Sequence, residues 1–543
     1  MTTGHAGFSL LDERWIAVRM RDGSTEAVSL QDLFARATSI REIVGDVPTQ
    51  AFALLRLALA IVHRATDGPE DELDWQDLRA ADGPPVGQIA AYLERHRERF
   101  DLFHPETPFF QVADLRTAKG EFSGLEKLLA DVPAGHPFFT TRLGSGLDQI
   151  SAAEAARWLV HVHAFDSSGI KSGAVGDDRV KGGKGYPIGT GWAGALGGIY
   201  VEGRDLWETL LLNLVPSDTD LLRVSVKDRA TWEVDPIGPA EADDLALRPY
   251  GPVDLYTWQS RRVLLRGDRD GVTGVLIANG DKLTPQDDRW QVEPMSCWRR
   301  SEPQQKKLGR PVVYMPREHD PSRAMWRGLA SLLPAAAPRG KAEGGERFVT
   351  AAVVEWAARM LGGRDRVSLR AIGMTYGTQS ATVTDIVDDR LVVSPALLEQ
   401  VDPRLPQAAI NASEATDGAV LALRNLASNL AKAAGGSDQA DGKRERAAER
   451  AYGLLDAPFR AWLRSLEPST DPEEARGAWH RTAYALIGGL GDELVASAGP
   501  AAWVGRTSGG RRITAPEANG WFRVALATAL PVPKRSTPEE DVA

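Results

Sequence analysis

Beyond about residue 390 the chain has little choice but to form helices. Four long stretches, roughly 405–434, 442–467, 471–496 and 515–530, carry apolar residues at helical spacing. Leu421, Leu426 and Leu430 mark one apolar stripe, and Trp479, Leu486 and Leu490 mark another. Gly435-Gly436, Pro468 and Pro500 supply the stops. Four amphipathic helices in series must bury their apolar faces on one another. They predict a C-terminal four-helix bundle over residues 386–543.

Residues 1–385 are mixed in character, so the expected fold class is α+β: a large mixed α/β domain followed by the bundle. FSLLDERWIAVRM (8–20) reads as a strand, RDGS as a turn and TEAVSL as the returning strand. Ser29 is placed to cap a short helix, and Pro48 opens a strongly apolar one, PTQAFALLRLALAIVHRA. The segment 334–347 has linker composition. No 20–50-residue repeat is visible. The 543 residues, 43% hydrophobic, suffice for more than one core. No apolar run approaches the roughly 20 residues that cross a bilayer, and the N-terminus lacks signal-peptide order. The expectation is a cytoplasmic protein.

Enzyme motifs fail where they appear. KGGKGYPIGTGWAGALGG (181–198) holds eight glycines and a literal G-x-G-x-x-G, Gly189 to Gly194. A dinucleotide fingerprint needs a strand before it and a helix after it, so that pyrophosphate meets a helix N-terminus. KGGKGYP cannot be a core strand, and GALGGIYVEG argues against a helix. A P-loop fails too, because Asp178 stands at its first glycine and Gly185 at its Ser/Thr. His161 and His163 form an H-x-H in an Ala-rich, helix-like context that turns them apart, which favours structural histidines. The lone cysteine, Cys297, excludes disulfides and Cys-rich zinc sites, and its bulky neighbours suit a buried small hydrophobe. No catalytic residue, metal or cofactor is expected.

Basic residues are better candidates. Lys171, Arg179, Lys181 and Lys184 flank the glycines, and Arg299, Arg300, Lys306, Lys307 and Arg310 cluster in WRRSEPQQKKLGR. Both clusters suit a nucleic-acid contact, since glycine lets main chain approach a groove closely. Lys443, Arg444 and Arg446 read as a solvated helix face. The net charge of -10 argues against a chain that coats DNA by itself.

In this order the segments resemble the CasA family, the large subunit of the type I-E CRISPR surveillance complex, Cascade. The opening FSLLDERWIAVRMRDGSTEAVSLQDLF, the stretch TPFFQVADL…LEKLLADVPAGHPFFTTRLGSG, the glycine run leading into YVEGRDLWETLLLNLV, the pair Trp258-Gln259 and the C-terminal helices carry the likeness. The resemblance implies a non-catalytic subunit. It would read the PAM of target double-stranded DNA from the minor groove, help open the duplex for guide RNA, and recruit the helicase-nuclease. Its partners would be the other Cascade subunits, the guide RNA and the DNA, with no membrane. Carried over by position, Gly185, Gly189 and Gly191 would meet the PAM, with Lys282 as the groove lysine. Gly377, Thr378 and Gln379 in YGTQSATV would form a strand-parting wedge. Phe139 and Thr141 would touch the guide or the complex. The zinc knuckle of some members is absent, for want of cysteines. The residues by themselves leave two alternatives open: a nucleotide-binding enzyme using the glycine run, or a protein-only scaffold.

Overall fold

The computed structural model describes residues 7–132, 140, 142, 147–334, 347–361, 366–398, 402–508 and 511–531. Most of the linker-like segment 334–347 lies outside them. The chain is mixed helix and sheet and forms two compact units. The first contains residues up to Arg323, the segment ending at Met360, and Ser368–Arg390. The second contains the segments beginning at Ala324 and at Leu361, and residues from Leu391 onward.

In the first unit, β1 (Ile16–Met20) pairs antiparallel with β2 (Thr25–Val28), with Ile16 opposite Val28. Ser29 caps α1 (Leu30–Ala35), its hydroxyl accepting from Asp32 N at 3.1 Å. β3 (Ile40–Ile43) completes the sheet on the other side of β1. α2 (Pro48–Ala65) starts on its proline, and every residue from Phe52 to Val62 is buried. A helix apolar on all sides belongs in a core. Its one charge there, Arg56, meets the buried Glu293 through two bonds of 2.8 and 2.9 Å. α3 (Glu72–Ala80) and α4 (Val86–Arg95) follow, and α4 packs on α2.

α5 (Ala152–Phe165) is capped by Ser151 and also packs on α2. It turns its two histidines to different partners. His161 Nε2 lies 2.9 Å from Thr49 Oγ1, and His163 Nε2 lies 2.9 Å from the Phe110 carbonyl. Burial pushes both imidazoles down to about 3, so they are neutral packing groups.

β4 (Lys171–Ser172), β5 (Lys184–Gly185), β6 (Gly198–Glu202), α6 (Leu206–Leu212) and α7 (Pro252–Tyr256) lead to the long hairpin β7 (Arg261–Asp268) and β8 (Gly271–Asn279). One sheet runs β5-β4-β8-β7. After the buried Cys297 come β9 (Trp298–Arg300), α8 (Glu302–Leu308), β10 (Tyr314–Pro316), α9 (Leu329–Leu332) of the second unit, β11 (Phe348–Val349) and α10 (Ala352–Leu361). β9 sits between β10 and β11. β12 (Val367–Tyr376) and β13 (Val383–Val393) form a hairpin whose β12 edge joins β6, with Arg370 opposite Tyr200.

In the second unit α11 (Arg404–Ala434) packs against α12 (Ala440–Ser465), α13 (Pro472–Ala496) and α15 (Ala515–Ala529), with the short α14 (Pro500–Val504) beside it. Gly435 ends α11 at φ +93°, a left-handed stop. The apolar stripes are rotated slightly from the sequence reading. Leu423, Leu426 and Leu430 face inward, whereas Leu421 is 45% exposed. Trp479, Ala483, Ile487 and Leu490 form the inner face of α13, and Leu486 is half-buried. The cause is period: 421 to 426 spans five residues, which a 3.6-residue helix carries off the stripe.

Candidate nucleic-acid interface

The glycine run begins with a tight turn. Lys181 and Lys184 pair through backbone bonds of 3.1 and 3.2 Å around Gly182 and Gly183, at φ +59° and +73°. Positive φ at both central residues is what a type I′ turn requires. Gly185 is buried in β5 opposite Lys171, and a Cβ there would stand 2.9 Å from Asn279 Nδ2. Gly189 is exposed, at φ +113°, with nothing within 4 Å of where a Cβ would project. Gly191 is buried, and a Cβ on it would lie 2.5 Å from the Ala164 carbonyl carbon. Of these three glycines, then, Gly189 offers main chain to solvent. Gly185 and Gly191 are glycines because another backbone or an amide lies against them. After the first two glycines of the G-x-G-x-x-G comes a single 3-10 turn, Trp192–Ala195, and then β6, where a phosphate site would need the N-terminus of a helix.

The loop is fixed by the C-terminal end of α5. The Gly191 N–H donates to Asp166 O at 2.8 Å. The Asp166 carboxylate accepts Arg261 Nε at 2.5 Å and Lys171 Nζ at 2.6 Å. Arg261, 1% exposed, also donates to Gly189 O at 2.8 Å and Ser167 O at 3.1 Å. Burial works against ionisation of Asp166, but the charges of Lys171 and Arg261 outweigh it and hold the carboxyl below its usual range. Burial likewise lowers Lys171, with Asp166 opposing it. The guanidinium reaches five acceptors in a planar fork, which a lysine could not do.

This overturns part of the basic-cluster reading. Lys171, its side chain 14% exposed, is spent as the counter-ion of Asp166 and is unsuited to a phosphate. Arg179 is held by Asp177 at 2.9 Å and by Glu241 at 2.9 Å. Lys181 and Lys184 do stand exposed at the foot of the turn. In the second cluster, Arg310 pairs with Asp288 at 2.5 Å, while Lys306 and Lys307 are exposed in the last turn of α8. Lys282 is exposed, three residues beyond Asn279, whose amide donates to Tyr186 O at 2.6 Å. The backbone of Lys282 itself donates to Glu241 Oε1 at 3.3 Å. Its neighbour Asp281 is consumed inside, bonded to Arg262 at 2.6 Å.

The β12–β13 tip is the second exposed feature. Gly377 N donates to Thr382 O at 2.8 Å, closing the turn. Thr378 and Gln379 are exposed, and Gln379 and Ser380 adopt φ +57° and +53°. Non-glycine residues in that region carry strain and mark a built conformation. Gly377 has φ -73° and is needed for room, since a Cβ would meet Thr382 Oγ1 at 2.9 Å. At the tip's base the Tyr376 hydroxyl donates to Phe165 O at 2.6 Å. Further back Arg370 spans the hairpin to Asp388, with two bonds of 2.8 Å, and reaches Glu42 at 2.8 Å. A cavity of about 320 Å³ opens between Ala381–Val383, the end of α5, Ser167–Ser172 and the segment Glu126–Ala130. Glycine loop and hairpin tip are therefore both anchored on Phe165 and Asp166. Phe139 and Thr141 lie outside the described residues.

The anchors Asp166, Arg261 and Tyr376 were missed from sequence. One signal was present: Arg261-Arg262 stands directly before the apolar run VLL, which is an odd place for solvated cations.

The fold and these surfaces define a two-unit α+β protein that offers exposed main chain and a strained hairpin tip on one unit. The chain matches the family model of CRISPR-associated protein Cse1 over residues 9–490. It is 31% identical over 444 residues to the CRISPR-associated protein CasA/Cse1 of Thermus thermophilus, covering 78% of each chain. Among solved structures, Thermobifida fusca Cse1 has a TM-score of 0.89 at 50% identity, covering 98% of this chain and 99% of that one. Cse1 of Acidimicrobium ferrooxidans has a TM-score of 0.81 at 34% identity, covering 97% and 98%. A chain of a CRISPR RNA-guided surveillance complex shares the fold, with a TM-score of 0.70 at 19% identity over 96% of this chain and 99% of that one. The chain belongs to the CRISPR-associated Cse1 family.

Proposed function

We propose that this chain is the large subunit of a cytoplasmic type I-E Cascade complex. It recognises the PAM on target double-stranded DNA, helps open the duplex for guide RNA, and recruits the helicase-nuclease, without catalysis, metal or cofactor of its own. Residues 1–385 would form the recognition and docking domain and 386–543 a four-helix bundle. The observation that carries this reading is that the glycine loop is held on Asp166, by Gly191 N directly and by Gly189 O through Arg261, while Tyr376 at the base of the Thr378–Gln379 tip is held on the preceding residue, Phe165. Main chain beside Lys181, Lys184 and Lys282 suits a minor groove. Readout there is degenerate, mostly A·T against G·C, so tolerant PAM recognition follows. Guide pairing supplies sequence specificity, as in other RNA-guided effectors. Wedge insertion is favourable only if opening, a few kcal/mol per unstacked step, is offset by new contacts and RNA–DNA pairs. Gly189→Asp and Gln379→Ala in the assembled complex test the reading. Each should weaken binding or opening of a PAM-bearing duplex, and unchanged behaviour of both variants would remove the site assignment.

A further inference from the structure

Tyr376 is the last residue of β12 before the tip. Its hydroxyl reaches 2.6 Å to the Phe165 carbonyl, at the end of α5. The other wall of its slot is Gly194, in the 3-10 turn that ends the glycine run. A Cβ there would lie 2.2 Å from the Tyr376 oxygen and 3.1 Å from Cζ. Burial raises the phenol well above its ordinary range, so it stays a neutral donor. The next residue, Asp166, receives Gly191 on its carbonyl and Arg261 on its carboxylate, and Arg261 holds Gly189 O. The Arg370 bonds to Asp388 and Glu42 fix the strands far behind the tip. At the base of the tip itself, Tyr376 links it to the end of α5 that holds the loop.

We infer that Tyr376 is a positioning residue: set between the Phe165 carbonyl and Gly194, it holds the Thr378–Gln379 tip at a fixed separation from the exposed main chain of Gly189. The element that reads a duplex and the element that parts it then move as one body. A tip free to rock would yield against the stacked first base pair instead of parting it. This inference rests on the function proposed above.

The test uses the assembled complex with guide RNA and two targets, a closed PAM-bearing duplex and the same duplex with its first protospacer pairs mismatched open. Strand opening is followed by 2-aminopurine fluorescence at the first position. Tyr376→Phe loses one buried hydrogen bond and keeps the ring. It should slow opening of the closed duplex about tenfold, with binding of the pre-opened target within about twofold of wild type. Gly194→Ala, which evicts the hydroxyl, should reproduce the split. Normal opening by Tyr376→Phe, or an equal loss on both targets, overturns the inference. Gln379→Ala and Gly189→Asp run alongside. If both open the closed duplex normally, the proposed site fails; if they are impaired while Tyr376→Phe is normal, the positioning role alone fails.

Discussion

Asp166→Asn isolates the anchor beneath the candidate interface. The substitution keeps side-chain volume and removes the negative charge that lies 2.5 Å from Arg261 Nε and 2.6 Å from Lys171 Nζ. The Asp166 side chain is 9% exposed and those of its partners 1% and 14%, so water cannot replace the lost pairing. Breaking a buried pair by removing one partner costs about 3–5 kcal/mol. The two cations respond differently. Guanidinium groups stay charged across the whole range, whereas Lys171, already lowered by burial, can lose its proton. In the variant the folded state binds the Lys171 proton still less tightly, while the unfolded state keeps it up to the ordinary lysine range. Variant stability should therefore climb as pH rises from 7 to 9, and the gap to wild type should narrow by up to about 1.4 kcal/mol per pH unit. Urea unfolding at both pH values, followed by circular dichroism, measures this. A loss under about 1 kcal/mol at pH 7, or a gap that does not change with pH, would refute the buried three-charge arrangement.

Two further pH effects follow from burial. His161 and His163, pushed down to about 3, are neutral in the folded state but take up protons below about 6.5 when unfolded. Together these two contribute a fall in stability of about 2.7 kcal/mol per pH unit on acidification between pH 6 and 4, and the double variant His161→Gln/His163→Gln should remove that part of the slope in urea titrations. Asp228 is pushed up to about 6 by burial, against the pull of two backbone donors, Val253 N and Asp254 N. The folded state holds that proton more tightly, so this contribution is lost as pH rises through 4 to 6. Stability of Asp228→Asn relative to wild type should improve over that window, by up to about 1.4 kcal/mol per unit, and a difference independent of pH would show Asp228 to be solvated.

Local rules carried far in this chain. Ser29 at an N-cap, Pro48 at a first helical turn and Gly435 at a left-handed stop each act through bonds to near neighbours, so their reading needed no tertiary knowledge. The four C-terminal helices end within about two residues of their expected limits for the same reason. That no helix follows the glycine run was legible from its glycines and β-branched residues, whereas the short edge strand β5 inside KGGKGYP was not. Long-range matters were not legible. Gly191 and Gly189 look alike in sequence, but one lies against Ala164 and the other against solvent. Lys171 and Lys184 look like one basic patch, but β4 buries the first against Asp166. Nor does chain order disclose that the segment from Ala324 belongs with helices that begin at Arg404.

On the function proposed above, the division of the cations accounts for how a chain of net charge -10 would still present a surface to DNA. Arginines such as Arg56, Arg261, Arg262 and Arg370 are used internally, each on acidic partners or carbonyls that fix one segment on another. Their planar, permanently charged forks suit that task. The exposed cations of the glycine run and of the segment after β8 are lysines, Lys181, Lys184 and Lys282. Such lysines supply a modest phosphate attraction that salt screens. The shape of the contact comes instead from main chain held by arginines. An interface built this way would take its precision from buried bracing and its affinity from many partners, which fits the proposed role of one DNA-binding member of an assembly.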